Sequence, residues 1–265
     1  MNNSNQNIKG TWALGDYRSI GRVIAPVSAK LIRLVNVNSE DTILDVACGF
    51  GNTAITARRK GANVTGIDIT PELLALARVE ESIAEVSGIE WREGNAENLP
   101  FEDDSFDIVL STFGHMFAPN QERTAKEMIR VLKKGGRIGF ATWSPELAIG
   151  RVFSIVSKYV SIPSTPLASS PIQWGNPDRV RELLGGVKEI FFERDTINYP
   201  ILSPNHYWQE MTTKSGFMIQ LIQALQKENN TEIESLRKDY LKTLEPYIHD
   251  NVVRMGYLLT IATKE

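Results

Sequence analysis

The chain has 265 residues, of which 42% are hydrophobic and 23% charged, a balance typical of a globular protein with a full core. Its formal net charge of −3 gives no general attraction to a polyphosphate backbone or an anionic membrane surface, so nucleic-acid substrates are not expected. The single cysteine, Cys48, excludes an internal disulfide, a cysteine-based zinc cluster and a paired-thiol redox site. With no apolar signal sequence and no apolar run of about 18 residues, we expect a cytoplasmic protein without a membrane span.

Strands and helices are predicted to alternate through the first half of the chain. Residues 1–10 are polar and are expected to be disordered, and residues 17–35 carry apolar side chains at helical spacing. Five buried strands are predicted at 42–46, 63–68, 89–92, 107–111 and 137–142. Helices are predicted at 52–59, from Thr70-Pro71 onward, and at 121–134, ending at Gly135-Gly136. This alternation predicts an α/β fold, a parallel sheet with helices on both faces.

The second half of the chain is longer than the sheet requires. About 120 residues follow the fifth strand, more than two strands and one connecting helix need. Their pattern predicts helices at 150–160 and 176–184, a Pro/Ser-rich loop at 161–170, extended segments at 187–199 and 251–263, and helical structure from 203 to 248. The surplus is therefore expected to form a helical cap over the ligand site.

The turn after the first strand carries the strongest candidate ligand-binding residues. Gly49 and Gly51 let the backbone approach a ligand closely, and the segment loosely matches a dinucleotide-binding pattern. Asp45, four residues before Gly49, ends the first strand, at the sheet edge where doubly wound folds bind ligands. A carboxylate there repels a pyrophosphate and attracts a ligand that carries an ammonium and a sulfonium. S-adenosylmethionine is such a ligand.

Two further loops end at the same edge of the predicted sheet. Asp68 ends the second strand, where a carboxylate can accept hydrogen bonds from both ribose hydroxyls, and Ile69 is placed to contact the adenine face. Residues 94–97 follow the third strand, where an amide side chain and a backbone N–H can bind the adenine edge.

Four segments of the chain resemble class I S-adenosylmethionine-dependent methyltransferases, of the branch that includes the quinone-biosynthesis C-methyltransferases. They are DVACGFGNTA (45–54), GIDITPELL (66–74), GNAENLPFEDDSFDIVLSTFGHMFAPN (94–120) and RVLKKGGRIGFATW (130–143). The resemblance implies a Rossmann-like, seven-stranded, mostly parallel sheet whose last strand is antiparallel, which agrees with the extended segments 187–199 and 251–263. It also divides the chain into a disordered tail (1–10), a cofactor-binding core with an N-terminal helix (11–145), and a C-terminal part (146–265) that completes the sheet and adds the cap.

The resemblance also assigns candidate cofactor contacts. It places Asp45, Gly49 and Gly51 at the methionine portion and Asp68 at the ribose. Ser111, at the end of the fourth strand, would hold the methionine amino group. The adenine would contact Asn95, Ala96 and Glu97, where Asn95 replaces a commoner aspartate.

Three more residues are candidates for the cofactor site. Ala47 replaces the first glycine of the usual glycine triad, and Asn52 follows Gly51 in the same loop. Tyr17, at the start of the N-terminal helix, either closes over the cofactor or packs in the core.

The acceptor side has weaker signals. His115 follows the fourth strand and is either a general base, a substrate contact or a structural residue. Methyl transfer is an in-line displacement for which alignment supplies much of the rate, so no base is required. Aromatic and methionine residues of the presumed cap form either ordinary core or a hydrophobic acceptor pocket: Trp174, Tyr207, Trp208, Met211, Phe217 and Met218.

The sequence therefore predicts an S-adenosylmethionine-dependent methyltransferase (EC 2.1.1) that acts on a small, partly apolar molecule at carbon, oxygen or nitrogen. A nucleotide-dependent oxidoreductase and a cofactor-binding sensor or catalytically silent relative are the alternatives. The Asn-Pro-Pro-Tyr type of motif of base-directed amino methyltransferases is absent, since residues 111–114 read STFG. The identity of the acceptor and the oligomeric state stay open.

Overall fold

Eight strands and ten helices are described in residues 9–159, 170–227 and 232–265 of the computed structural model. The strands are β1 (Thr42–Val46), β2 (Asn63–Asp68), β3 (Glu90–Glu93), β4 (Phe106–Thr112), β5 (Leu132–Trp143), β6 (Val187–Pro200), β7 (Ile248–His249) and β8 (Val252–Lys264). The helices are α1 (Tyr17–Gly21), α2 (Ala25–Leu34), α3 (Asn52–Arg58), α4 (Pro71–Ile83), α5 (Gln121–Arg130), α6 (Ala148–Val156), α7 (Pro177–Leu183), α8 (Pro204–Lys214), α9 (Gly216–Lys227) and α10 (Glu232–Leu244).

The sheet has the order β3-β2-β1-β4-β5-β8-β6, and β7 pairs only with β8. Strands β1 to β5 are mutually parallel, whereas β8 runs antiparallel to both of its neighbours. The expected Rossmann-like sheet with an antiparallel last strand is confirmed, and the two-residue β7 is an addition that the sequence pattern did not predict. Strand order reverses between β1 and β4, so a crevice is expected at their carboxyl ends.

The N-terminal helix is interrupted rather than continuous over residues 17–35. Its first part, α1, is followed by a 3₁₀ turn (Arg22–Ile24), and α2 begins at Ala25 with Pro26 in its first turn. Proline lacks a backbone N–H and fits the first turn of a helix but not its interior, so a new helix starts here. Residues 9–13 are also helical, including two assigned to the predicted tail; residues 1–8 lie outside the described part of the chain.

The segment around Gly135-Gly136 differs from its prediction as a helix end. Helix α5 ends at Arg130, and β5 already begins at Leu132. Phe106 of β4 pairs with Leu132, but Ile108 pairs with Arg137, so β5 carries extra residues between these two pairs. Gly135 has a φ of +74°, which glycine adopts without strain, so the glycines permit an irregularity inside the strand.

The C-terminal half supplies the predicted cap. The helical stretch expected at 203–248 consists of three helices, α8, α9 and α10, which pack on one another, and α6 packs on α10. Most of the Pro/Ser-rich loop predicted at 161–170 lies outside the described residues. Within the described ranges, no helix combines the length and apolar character that crossing a membrane requires.

Candidate functional site

A cavity of about 330 Å³ lies at the carboxyl ends of the parallel strands. On one side it is lined by the ends of the strands and the turns after them, at residues 45, 47–50, 52–53, 68–69 and 94–96, which we call the loop side. On the other side it is lined by side chains of α6, α8, α9 and α10 and of the neighbouring strands β6 and β8, which we call the cap side. The cavity therefore joins the sheet edge to the cap, as the topology predicts.

Asp45 is a strongly perturbed group on the loop side. Its side chain is almost fully buried, and Oδ2 accepts a hydrogen bond of 2.9 Å from the backbone N–H of Ala54. The other oxygen, Oδ1, is buried and has no hydrogen-bond partner among the described residues. Burial raises the pKa of Asp45 to about 8, and the nearby charge of Asp68 adds to this effect. A carboxylate in this state is stabilised by a cationic group that enters the cavity.

Asp68 ties two turns of the loop side together. Its Oδ2 accepts from the backbone N–H of Gly49 and its Oδ1 from that of Thr70, each at 2.8 Å. Burial raises the pKa of this carboxyl as well. Each carboxylate oxygen can accept a second hydrogen bond, so Asp68 is able to bind a diol without losing its backbone contacts.

The turn after β1 has a left-handed backbone at three positions. Ala47, Gly49 and Gly51 have φ values of +53°, +56° and +94°. A Cβ at Gly49 would meet nothing within 4 Å, so this residue opens onto the cavity, whereas a Cβ at Gly51 would lie 2.6 Å from Cη2 of Trp91. Gly51 thus permits close packing behind the turn and does not line the cavity. The left-handed backbone conformation of Ala47 carries a strain energy of about 1 kcal/mol.

The structure brings most of the other cofactor candidates to the same wall. Asn52, Ile69, Asn95 and Ala96 all line the cavity. Asn52 donates from Nδ2 to the carbonyl of Gly21 at 2.9 Å, which attaches the N-terminal segment to the loop side. Asn95 accepts from the backbone N–H of Glu97 at 2.9 Å, which shapes the turn after β3.

Glu97 and Ser111 are not brought to the cavity wall described here. The Oε1 of Glu97 accepts from the backbone N–H of Asn120 at 2.7 Å, so this carboxylate holds the loop before α5. The Oγ of Ser111 donates to the carbonyl of Val46 at 2.7 Å and accepts from the backbone N–H of His115 at 3.1 Å. Ser111 therefore ties the ends of β1 and β4 together, and its contact with an amino group stays a prediction.

His115 borders the cavity, and its ring packs into the protein behind it. Its ring is fully buried between Phe140 and Trp174, with centroid distances of 4.7 and 4.5 Å. Neither ring nitrogen has a hydrogen-bond partner within the described residues, and burial lowers the pKa of His115 to about 3. A ring that is buried and so weakly basic does not support the predicted role of general base.

The N-terminal segment contributes more to the cavity than the sequence indicated. Tyr17 lines it, and its hydroxyl accepts a hydrogen bond of 3.0 Å from the backbone N–H of Gly216 in the cap. Burial raises the pKa of Tyr17 to about 12, so it stays a neutral phenol. Arg18 forms an ion pair of 2.5 Å with Glu80 of α4. The segment thus connects the sheet side of the molecule to the cap, and the lining residues missed there are Trp12, Ile20, Gly21 and Ile24.

Four of the six cap residues singled out from the sequence line the cavity, namely Tyr207, Met211, Phe217 and Met218. Trp174 packs on His115 and Phe140, and Trp208 packs on Tyr240. Further apolar and aromatic lining residues were missed, because sequence spacing does not show which face of an element meets a cavity: Phe113, Phe117, Trp143, Ile149, Val152, Phe153, Val156, Tyr199, Tyr240 and Met255.

Comparisons with known proteins agree with this architecture. A family model described as a methyltransferase domain matches residues 44–140. An uncharacterised protein of Mycobacterium tuberculosis is 44% identical over 259 residues, which cover 96% of this chain and 92% of that protein. The demethylmenaquinone methyltransferase of Chlorobaculum parvum is 42% identical over 116 residues, 43% of this chain and 45% of that enzyme. The solved structure of a candidate methyltransferase from Bacillus halodurans is 25% identical, with a TM-score of 0.61, over 89% of this chain and 98% of that one.

Proposed function

The chain belongs to the class I S-adenosylmethionine-dependent methyltransferases, and from this premise we propose that it methylates a small, partly apolar molecule bound on the cap side of the cavity. The observation that carries the proposal is the cavity itself. It joins the carboxylate oxygen of Asp45 that has no partner in the described part of the chain to an aromatic and aliphatic wall on the cap side.

The residues of the loop side fit the proposed cofactor. S-adenosylmethionine, when bound, supplies an electrophilic methyl group on a sulfonium, and its methionine part carries an ammonium. Asp45 would compensate this ammonium with the oxygen that lacks a partner among the described residues. Asp68 would accept the ribose hydroxyls, Ile69 would cover the adenine, and Asn95 with Ala96 would bind its edge.

The cap side contributes alignment and exclusion of water. Aromatic and aliphatic side chains dominate it, and they would hold an apolar acceptor dry and in line with the methyl group. His115 borders the cavity, but its ring is fully buried against Phe140 and Trp174, so we assign it to packing. Methyl transfer here would depend on positioning rather than on a histidine base.

We place the boundary between the cofactor-binding part and the acceptor-binding part of the chain near residue 145. Residues 11–145 include the proposed cofactor contacts, and the C-terminal part, 146–265, includes α6, α8, α9 and α10 of the cap side. The net charge of −3 supports a small-molecule acceptor rather than nucleic acid. The single cysteine supports a reducing compartment such as the cytoplasm. The likeness to demethylmenaquinone methyltransferase makes a quinone-like ring a candidate acceptor. Because this likeness covers only 43% of the chain, the quinone-like ring is one candidate among several.

Calorimetry with S-adenosylhomocysteine tests the cofactor assignment. We expect tight binding to the wild type and binding weaker by about 1–3 kcal/mol in Asp68→Ala, because charge-assisted hydrogen bonds are lost. Asp178→Ala, on an exposed carboxylate that pairs with Arg181, is the matched control and should bind like the wild type. Thermal unfolding of each variant shows whether it is folded.

The alternatives give different results in the same experiments. Binding of NAD(H) without binding of S-adenosylhomocysteine would favour an oxidoreductase and overturn the proposed function. If S-adenosylhomocysteine binds, methyl-labelled cofactor is incubated with quinones, phenols, amines and isoprenoid acids. No transfer to any of these pools, nor to a whole metabolite extract, would favour a sensor or a silent relative.

A further inference from the structure

We propose that the hydroxyl groups of Tyr207 and Tyr240 form the polar recognition point of the cap side and select uncharged acceptors that carry a hydroxyl or carbonyl oxygen. This inference rests on the proposed function, because it describes the acceptor half of the same cavity. It adds a substrate class and two residues that would determine specificity.

The two phenols come from different cap helices and meet at the cavity. Tyr207 lies on α8 and Tyr240 on α10, and both line the cavity while being only 1% and 2% exposed. Their ring centroids are 6.3 Å apart. The hydroxyl of Tyr207 donates to the sulfur of Met255 at 3.6 Å. A thioether is a weak acceptor, so this bond is readily exchanged for one to a ligand oxygen.

The surroundings of the pair carry little uncompensated charge. Of the α6, α8, α9, α10, β6 and β8 residues that line the cavity within the described ranges, none is Asp, Glu, Lys or Arg. A third phenol, Tyr199, is 3.3 Å from Oε2 of Glu210, and Glu210 pairs with Lys214 at 2.6 Å. Glu210 is therefore already paired with a cation. Burial raises the pKa of both Tyr207 and Tyr240, so each keeps its proton.

The two neutral phenols and the uncharged lining around them decide which acceptors fit. A neutral phenol donates one hydrogen bond and accepts others, which matches a hydroxyl or a carbonyl on a ring-sized apolar molecule. A carboxylate or phosphate would lose its hydration on the cap side without meeting a cation. An ammonium would also lose its hydration, and it would meet no carboxylate among the described cap-side residues that line the cavity. An uncharged oxygen is the remaining polar partner.

Four naphthalene probes test the inference by calorimetry on the full chain saturated with S-adenosylhomocysteine. They are 1-naphthol, its near-isostere 1-methylnaphthalene, the anion 1-naphthoate and the cation (1-naphthyl)methylammonium. We expect 1-naphthol to bind about tenfold more tightly than each of the other three, the gain of roughly one hydrogen bond in an apolar site.

Single-atom variants assign the preference to the two phenols. Tyr207→Phe and Tyr240→Phe should each reduce the preference for 1-naphthol over 1-methylnaphthalene to about threefold or less. Tyr247→Phe is the matched control, because this half-buried cap-region phenol donates to the carbonyl of Glu146 and does not line the cavity. Affinity for S-adenosylhomocysteine should be unchanged in all three variants, which also shows that they are folded.

The outcomes separate this inference from the function on which it rests. The inference alone is overturned if S-adenosylhomocysteine binds but no probe does, if a charged probe or 1-methylnaphthalene equals 1-naphthol, or if the preference survives in both variants. Failure of S-adenosylhomocysteine to bind the wild type overturns the proposed function and this inference with it.

Discussion

The loop side and the cap side of the cavity are built in different ways. The loop side consists of short segments that follow consecutive strands, and its functional atoms are carboxylate oxygens and backbone amides. The cap side consists of rings and aliphatic side chains from helices and strands that are far apart along the chain. The comparison teaches that the loop side, the proposed cofactor portion, is specified by local motifs, while the cap side, the proposed acceptor portion, is specified by how distant elements pack.

The two sides also differ in how their residues are held in place. Asp68 is fixed by two hydrogen bonds of 2.8 Å to backbone groups of neighbouring turns. Phe153 is held by packing, with its ring centroid 5.7 Å from that of Phe217 and 5.8 Å from that of Phe117. Hydrogen bonds demand specific geometry, whereas apolar packing tolerates substitution of similar volume. The loop side should therefore respond to changes of charge, and the cap side to changes of size.

The largest effect is expected from Asp45→Asn. This variant should weaken S-adenosylhomocysteine binding by about 2–3 kcal/mol, because the ligand ammonium loses a charged partner. The melting temperature of the ligand-free variant should stay the same or rise, because an ionisable group with an unpartnered oxygen is removed from a buried place. Calorimetry and thermal unfolding measure the two effects. Unchanged affinity would remove Asp45 from the cofactor site.

The pH dependence of cofactor binding should be the next largest effect. The pKa of Asp45 in the free protein is raised to about 8, so below that pH the carboxyl must lose a proton to pair with an ammonium. Affinity for S-adenosylhomocysteine should therefore fall as pH decreases below about 8, by at most about tenfold per pH unit. Calorimetry at pH 6, 7 and 8 measures this slope. A slope that persists in Asp45→Asn would assign the titration to another group.

A change of size on the cap side should spare the cofactor. Phe153→Ala should weaken 1-naphthol binding by about 1–2 kcal/mol, because apolar contact area is lost, and should leave S-adenosylhomocysteine binding unchanged. Phe191→Ala, on a β6 ring that is 50% exposed, is the matched control. If Phe153→Ala weakened the binding of both ligands equally, the two sides would not respond separately as expected.

The smallest expected effect concerns backbone strain on the loop side. Ala47 has a φ of +53°, so Ala47→Gly should stabilise the protein by about 1 kcal/mol in chemical denaturation. Ala75→Gly, at an exposed position inside α4, should instead destabilise it by about 1 kcal/mol. A loss of stability in Ala47→Gly would show that the turn does not strain alanine.

Much of the sheet could be predicted because strand patterns and loop motifs are local. The predicted limits of β1 and β2 agree with the structure, and the antiparallel last strand followed from the family resemblance. The irregularity of β5 near Gly135 could not be predicted, because glycine pairs are compatible with a helix end and with a bulge. The break at Pro26 was missed because the apolar spacing continues through it.

The residues of the candidate site were also predictable in part, because only their position along the strands is a local property. Asp45, Gly49 and Asp68 lie together on the cavity wall, as their positions after parallel strands predicted. Ser111 also lies at the carboxyl end of a strand, but its hydroxyl donates to the carbonyl of Val46 and it is not among the residues that line the cavity. A position at a strand end specifies which edge of the sheet a residue reaches, and not which way its side chain turns.

The sequence by itself determined the fold class, the cofactor class and the carboxylates of the loop side, because these depend on contiguous residues and on the regular geometry of parallel strands. Only the tertiary structure decided that His115 is buried against Trp174 and that Trp12, Tyr207 and Tyr240 line one cavity. The physical reason is that hydrophobic burial is not directional. An aromatic residue in a helix is equally compatible with a core and with a cavity wall until the elements around it are packed.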